Sequence, residues 1–273
     1  MNKVQKLVGV GFVSVFASVF ASVLAFTATL STNAFAQSPT DSRKSGYTYM
    51  APSTQALQND DSQNPAMLWV KDGEAAWQRT EGTANKSCAS CHGDAKTKMR
   101  AVATRFPAYS GSLGRVINLQ QQINLCRTVQ QKAPSLPLEH QILLALESYV
   151  ALQSRGLPIK PPADAKLGDA QKKGEALFTQ RIGQIDLSCQ DCHNNQVGRS
   201  LAGNLIPQAH PTGYPLYRLE WQGVGGLQRR IRNCMVGVRA EPYAYGSDEM
   251  VALEAYLAKR AAGMKFEAPA VRP

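Results

Sequence analysis

Two pentapeptides constrain this chain more than anything else in it: Cys88-Ala89-Ser90-Cys91-His92 and Cys189-Gln190-Asp191-Cys192-His193. Both read C-x-x-C-H, the pattern by which a chain attaches c-type haem. Two thiols three positions apart can reach both vinyl groups of one porphyrin. The adjacent histidine then presents its imidazole to the iron, for which it is a common axial ligand. Competing chemistries want other contexts. A structural zinc site sets its two C-x-x-C pairs roughly 15–20 residues apart, whereas about a hundred residues separate these two. A thioredoxin-like redox pair wants a strand-helix setting, which the flanking sequence does not offer. The expectation is two haem c groups, attached through Cys88 and Cys91 and through Cys189 and Cys192, with His92 and His193 as iron ligands.

The motifs sit inside a duplication. Gly73-Glu74-Ala75-Ala76-Trp77 precedes Cys88 by the same interval that separates Gly174-Glu175-Ala176-Leu177-Phe178 from Cys189. Downstream, Leu119-Gln120 and Ile123 before Cys126 match Leu227-Gln228 and Ile231 before Cys234, and Ala145-Leu146-Glu147-Ser148-Tyr149 matches Ala252-Leu253-Glu254-Ala255-Tyr256. Apolar residues at helical spacing (Ile142, Leu143, Leu146, Tyr149, Val150; Met250, Leu253, Tyr256, Leu257) give each copy a core-facing helix that ends near a glycine, Gly156 or Gly263. The fold class expected is all-α: two tandem cytochrome c domains at 67–156 and 168–273, joined by a Pro-rich linker at 157–167 and preceded by an extended arm at 37–66.

The N-terminus opens with Lys3 and Lys6, runs uncharged from Leu7 to Ala36, and ends in Ala34-Phe35-Ala36. That is the layout of a secretory signal peptide over 1–36, cleaved near Ala36. The expectation is a periplasmic protein with no membrane segment in its mature form. Loss of Lys3 and Lys6 lowers the formal net charge from +10 to +8. No nucleic-acid-binding motif accompanies that charge; it suits docking to an acidic protein or attraction of a small anion.

Cys126 and Cys234 remain, at equivalent places in the two copies. They could pair with each other, lie inert, or each stand opposite its own histidine as the sixth iron ligand. Ligation is favoured over the methionines Met99, Met235 and Met250, because none of those recurs at matching positions. Thiolate donation to iron lowers the potential, and such a sulfur is a possible seat for sulfur chemistry. The copies differ four residues before the cysteine, on the same helical face, where one has Gln122 and the other Arg230. A guanidinium fork suits oxyanions, so the second site is the one expected to meet an anion. Of the other histidines, His140 opens the third helix of the first copy as a surface or capping residue, and His210 is more readily structural than a ligand.

Further segments carry a family resemblance: Asp60-Asp61, Asn64-Pro65, Met67-Leu68-Trp69-Val70, His210-Pro211, Tyr217-Arg218-Leu219-Glu220-Trp221-Gln222 and Arg239-Ala240-Glu241-Pro242. The chain resembles the A subunits of the sulfur-oxidising (Sox) cytochrome complex over most of its length. That resemblance implies an L-cysteine S-thiosulfotransferase that works with a smaller cytochrome c subunit, SoxX-like. It couples thiosulfate oxidatively to the C-terminal cysteine of a SoxYZ-like carrier, with two electrons passing to haem. By position it implies that Cys234 is the active-haem ligand and carries a persulfide, with His193 opposite it. Arg230 would be the substrate-binding arginine, and Cys88, Cys91, His92 and Cys126 would serve the first haem. A tetrathionate-forming thiosulfate dehydrogenase and a plain dihaem electron carrier are the rival readings.

Overall fold

The computed structural model describes residues 41–273; the leader expected over 1–36 and the first residues of the arm lie outside the described residues. Each half of the chain builds the same series of elements. The arm holds a 3-10 turn (Gly46–Tyr49) and α1 (Pro52–Asn59). The first repeat then runs through α2 (Ala66–Gln78), α3 (Cys88–His92), α4 (Ala95–Lys98), a hairpin of β1 (Ala108–Ser110) and β2 (Arg115–Ile117), α5 (Leu119–Cys126) and α6 (Gln141–Leu152). The second repeat has α7 (Ala165–Thr179), α8 (Cys189–His193), and a short hairpin of β3 (Ser200–Leu201) and β4 (Asn204–Leu205). It continues with a second hairpin of β5 (Leu216–Arg218) and β6 (Gly223–Gly225), then α9 (Leu227–Gly237) and α10 (Asp248–Arg260), and β7 (Ala270–Arg272) closes the chain. No helix among the described residues is long and apolar enough to cross a membrane.

The recurring Gly-Glu-Ala segment has a packing reason. A Cβ on Gly73 would stand 2.0 Å from the Ala145 carbonyl oxygen, and one on Gly174 would stand 2.0 Å from that of Ala252. Only glycine lets α2 press against α6, and α7 against α10, at that distance. Next to each crossing an aromatic pair fills the core. Trp77 meets Tyr149 edge-on at 6.0 Å between centroids, and Phe178 meets Tyr256 at 5.3 Å.

The helix-rich architecture and the duplication agree with the sequence. Three features differ from expectation. The hairpins are strands of two or three residues, too short for any alternating pattern to reveal. The arm is not extended throughout: Pro52 sits at the first position of α1, where its fixed φ starts a helix. The Pro-rich segment 157–167 is bonded rather than free, since Ile159 N donates to the Met264 carbonyl and Phe266 N to that of Leu157. Ser42–Pro273 accordingly forms one compact unit.

The offset between the copies grows from 101 at Cys88 and Cys189 to 108 at Cys126 and Cys234 and falls to 107 at Ala145 and Ala252, and both changes have structural causes. The β3–β4 hairpin occupies the place of α4, which lengthens the second repeat there. A π-turn over Arg127–Gln131 in the first repeat absorbs one residue that α9 lacks. Between the repeats lies a polar seam. Gln120 donates to Glu139 and Glu147, while Asn118 and Gln228 both donate to Glu254. Burial pushes Glu147 up to about 8 and Glu254 up to about 7, so both carboxyls hold protons well above the usual carboxylate range.

Candidate haem and sulfur-chemistry site

Each C-x-x-C-H forms a single capped turn. Ser87 Oγ accepts from Ser90 N at 2.9 Å while Ser90 Oγ accepts from Ser87 N at 3.1 Å. In the second repeat Ser188 and Asp191 make the same exchange, at 3.2 and 2.9 Å. These capping boxes start a five-residue helix that propensity alone would not support, and they hold the two cysteines one turn apart. The sequence reading missed them, although a Ser followed three residues on by Asp is their ordinary signature.

At the first site, burial pushes the Cys88 thiol up to about 11; Arg127 opposes the rise, and Cys126 and Glu81 add to it. Cys126 at the end of α5 is therefore near Cys88. Gln122 Nε2 stands 3.5 Å from its sulfur. The neighbouring charge is neutralised: Arg127, 5% exposed, bonds Glu81 at 2.6 Å, which also pairs with Arg79. Trp77 Nε1 donates to the Gly93 carbonyl at 3.0 Å, and its ring lies 5.7 Å from that of His92.

At the second site His193 Nδ1 lies 2.7 Å from the Pro207 carbonyl oxygen. A carbonyl can only accept, so Nδ1 carries the proton and Nε2 keeps the lone pair a metal needs. Cys234 of α9 lies against this imidazole. Burial raises its thiol, but the neighbouring His193 side chain and the positive charges of Arg230 and Arg218 outweigh burial and set it below the ordinary thiol range. The attaching thiols sense Cys234 as well. Burial is the first cause of the rise at Cys189, up to about 11, and at Cys192; Cys234 is the second.

The structure thus brings Cys88 and Cys126 together in one repeat, and Cys189, Cys192, His193, Cys234 and Arg230 in the other. All six cysteines are unpaired, which removes the Cys126–Cys234 disulfide. Among the described residues no three His, Cys, Asp or Glu side chains converge as around a zinc ion. Two attaching thiols, a histidine with a free Nε2 and a facing thiol form a donor set that fits haem c. Of the methionines, Met250 is wholly buried in α10 and Met235 lines a hollow with Ile182 and Arg239, while Met99 packs on the same core as Cys88. His140 caps α6, its Nδ1 accepting from Ile142 N at 3.2 Å.

The chain has clear relatives among known proteins. The cytochrome c domain profile of SoxA/TsdA matches residues 72–159 and 173–266. The chain belongs to the SoxA/TsdA cytochrome c family. It is 36% identical to the L-cysteine S-thiosulfotransferase subunit SoxA of Rhodovulum sulfidophilum over 85% of this chain and 81% of that one. It is 37% identical to the subunit of the same name from Pseudaminobacter salicylatoxidans, over 86% and 82%. A chain in the crystal structure of SoxXA from P. pantotrophus superposes with a TM-score of 0.81 at 30% identity, covering 85% of this chain and 87% of that one. Pro207, Tyr214 and Arg218 are site residues the sequence reading did not assign. Arg218 was within reach, because the repeat register sets it against Ser110.

Proposed function

We propose that this chain is the SoxA-type subunit of an L-cysteine S-thiosulfotransferase, joining thiosulfate to a cysteine of a sulfur-carrier protein. The observation that carries the reading is the setting of Cys234, a thiol facing His193 with guanidinium charge beside it, where Cys126 has only Gln122. Cys88 and Cys91 would hold one haem c with His92 and Cys126 as ligands, and Cys189 and Cys192 would hold the other with His193 and Cys234. The chemistry haem c supplies is one-electron acceptance, by which the two electrons of the coupling leave the site.

The chain's own residues perform the rest. Arg230 binds the oxyanion end of thiosulfate by charge-assisted hydrogen bonds. The sulfur borne by Cys234, a thiolate or a persulfide, forms an S–S bond to the sulfane sulfur as two electrons are released. Attack by the carrier thiolate on that sulfane sulfur then breaks the bond and returns the Cys234 sulfur as thiolate. The net change joins carrier thiol and thiosulfate and gives up one proton and two electrons. A persulfide suits this exchange because it is more acidic and more nucleophilic than a thiol. A SoxX-like cytochrome is the partner subunit, and the mature protein begins after Ala36 in the periplasm.

Mass analysis of the Cys234 peptide before and after mild reduction, together with turnover of a Cys234→Met protein, tests this. An extra sulfur of about 32 Da on Cys234 but not on Cys126 supports the reading. A Cys234→Met protein that still conjugates thiosulfate overturns it.

A further inference from the structure

We infer that Arg218 is a second substrate-holding guanidinium, paired with Arg230 to grip the sulfonate group of thiosulfate beside Cys234. The inference rests on the thiosulfate reading above and adds a residue to it. Arg218 ends β5 and is only 8% exposed. Its guanidinium is incompletely matched. Nη2 meets Glu220 at 2.7 Å, but the Glu220 side chain is 59% exposed, so that pair is worth little. The guanidinium carbon lies 5.2 Å from the Trp221 ring centroid. Its Nε is buried without a hydrogen-bond partner, an arrangement that costs stability unless something accepts that proton.

The surroundings say what would accept it. Burial lowers the Arg218 pKa first, and the like charge of Arg230 lowers it further. Arg230 has no carboxylate partner among the described residues. Tyr214, half-buried, senses Arg230, Cys234 and Arg218 together. Two guanidinium groups and a phenol near Cys234, against one solvent-exposed carboxylate, leave net positive charge beside its sulfur, which suits a small divalent oxyanion.

The other repeat supplies the control. β1–β2 pairs Ser110 with Arg115, as β5–β6 pairs Arg218 with Gly223. Ser110 therefore stands where Arg218 stands, and its hydroxyl meets only Ser112 at 3.1 Å. Gln122 likewise stands where Arg230 stands. The hairpin and the helix form without either arginine, so the fold does not need this pair of charges.

The test uses the holoprotein with its partner subunit, as wild type, Arg218→Gln and Arg218→Lys. Thiosulfate KM and kcat, competitive inhibition by sulfate, haem content and haem potentials are measured. Arg218→Gln should raise KM and weaken sulfate inhibition by about 10-fold or more, with kcat and the potentials less affected, and Arg218→Lys should recover part of the loss. Unchanged KM and sulfate inhibition in Arg218→Gln would overturn the inference. So would a KM change accompanied by shifted haem potential or lost haem, which would make Arg218 a propionate partner or a structural residue. Failure of the wild type to conjugate thiosulfate would count against the function instead, while sulfate affinity lost in Arg218→Gln would still locate the anion site.

Discussion

The two attachment sites share turns, caps and a facing cysteine, yet differ in what surrounds that cysteine. In the first repeat the arginine nearest Cys126, Arg127, is bound to Glu81, and the helical position four residues back is the neutral Gln122. In the second, Arg230 and Arg218 leave their charge directed at Cys234, whose thiol lies below its ordinary range despite burial. Equal folds with unequal charge separate the roles. On the proposed reading the first repeat would hold a haem c in a neutralised setting suited to passing electrons, and the second would add an anion-holding wall to a reactive sulfur. The scaffold is common to both copies, and the contrast lies in a few residues on one face of α9 and the end of β5.

The sharpest break in this comparison comes from the cysteines. Cys234→Ala should cost turnover on the order of 10³-fold or more, as loss of a covalent group does. Cys126→Ala should cost under about 10-fold in the same steady-state assay. Equal losses would erase the division of roles. Next in size, Arg230→Gln installs the residue of the first repeat and should lower kcat/KM by ~10–100-fold, mainly through KM, as removal of a charge-assisted contact does. A third test concerns what the copies share. Gly73→Ala and Gly174→Ala each drive a Cβ into a facing carbonyl, and denaturant titration should show each destabilised by ~1–3 kcal/mol. A marked inequality would mean the two crossings are not equivalent.

The smallest effect concerns the seam between the repeats. Glu147 and Glu254 are raised from 4.5 to about 8 and about 7, chiefly by burial. The folded state keeps their protons after the unfolded chain has lost them. That contribution is full below about 4.5 and is lost as pH rises through about 7 and 8. Thermal unfolding at several pH values should show Tm falling more steeply across that window in wild type than in the Glu147→Gln, Glu254→Gln double variant. Parallel profiles would mean these carboxyls are ionised in the fold.

Much of this site was legible in the residues because haem attachment is a local chemistry. Cys88, Cys91, His92, Cys189, Cys192 and His193 are fixed relative to one another by chain connectivity. The duplication exposed Cys126, Cys234 and the Gln122–Arg230 contrast, since two copies in one chain act as each other's reference. The short hairpins and the bonded segment 157–167 were not legible. Two- and three-residue strands carry no periodicity, and a Pro-rich stretch reads as a linker until its long-range partners are known.

The sequence by itself determined the cofactor chemistry, the twofold repeat and the facing cysteines, all matters of spacing along the chain. Tertiary structure decided which further charges reach which sulfur. Arg230 stands one helical turn from Cys234 by sequence, but Arg218 at the end of β5 reaches it only through the fold, whereas Arg127, next to Cys126 in sequence, is bound to Glu81. Electrostatic effects depend on distance and burial in space, and neither is written in the order of residues.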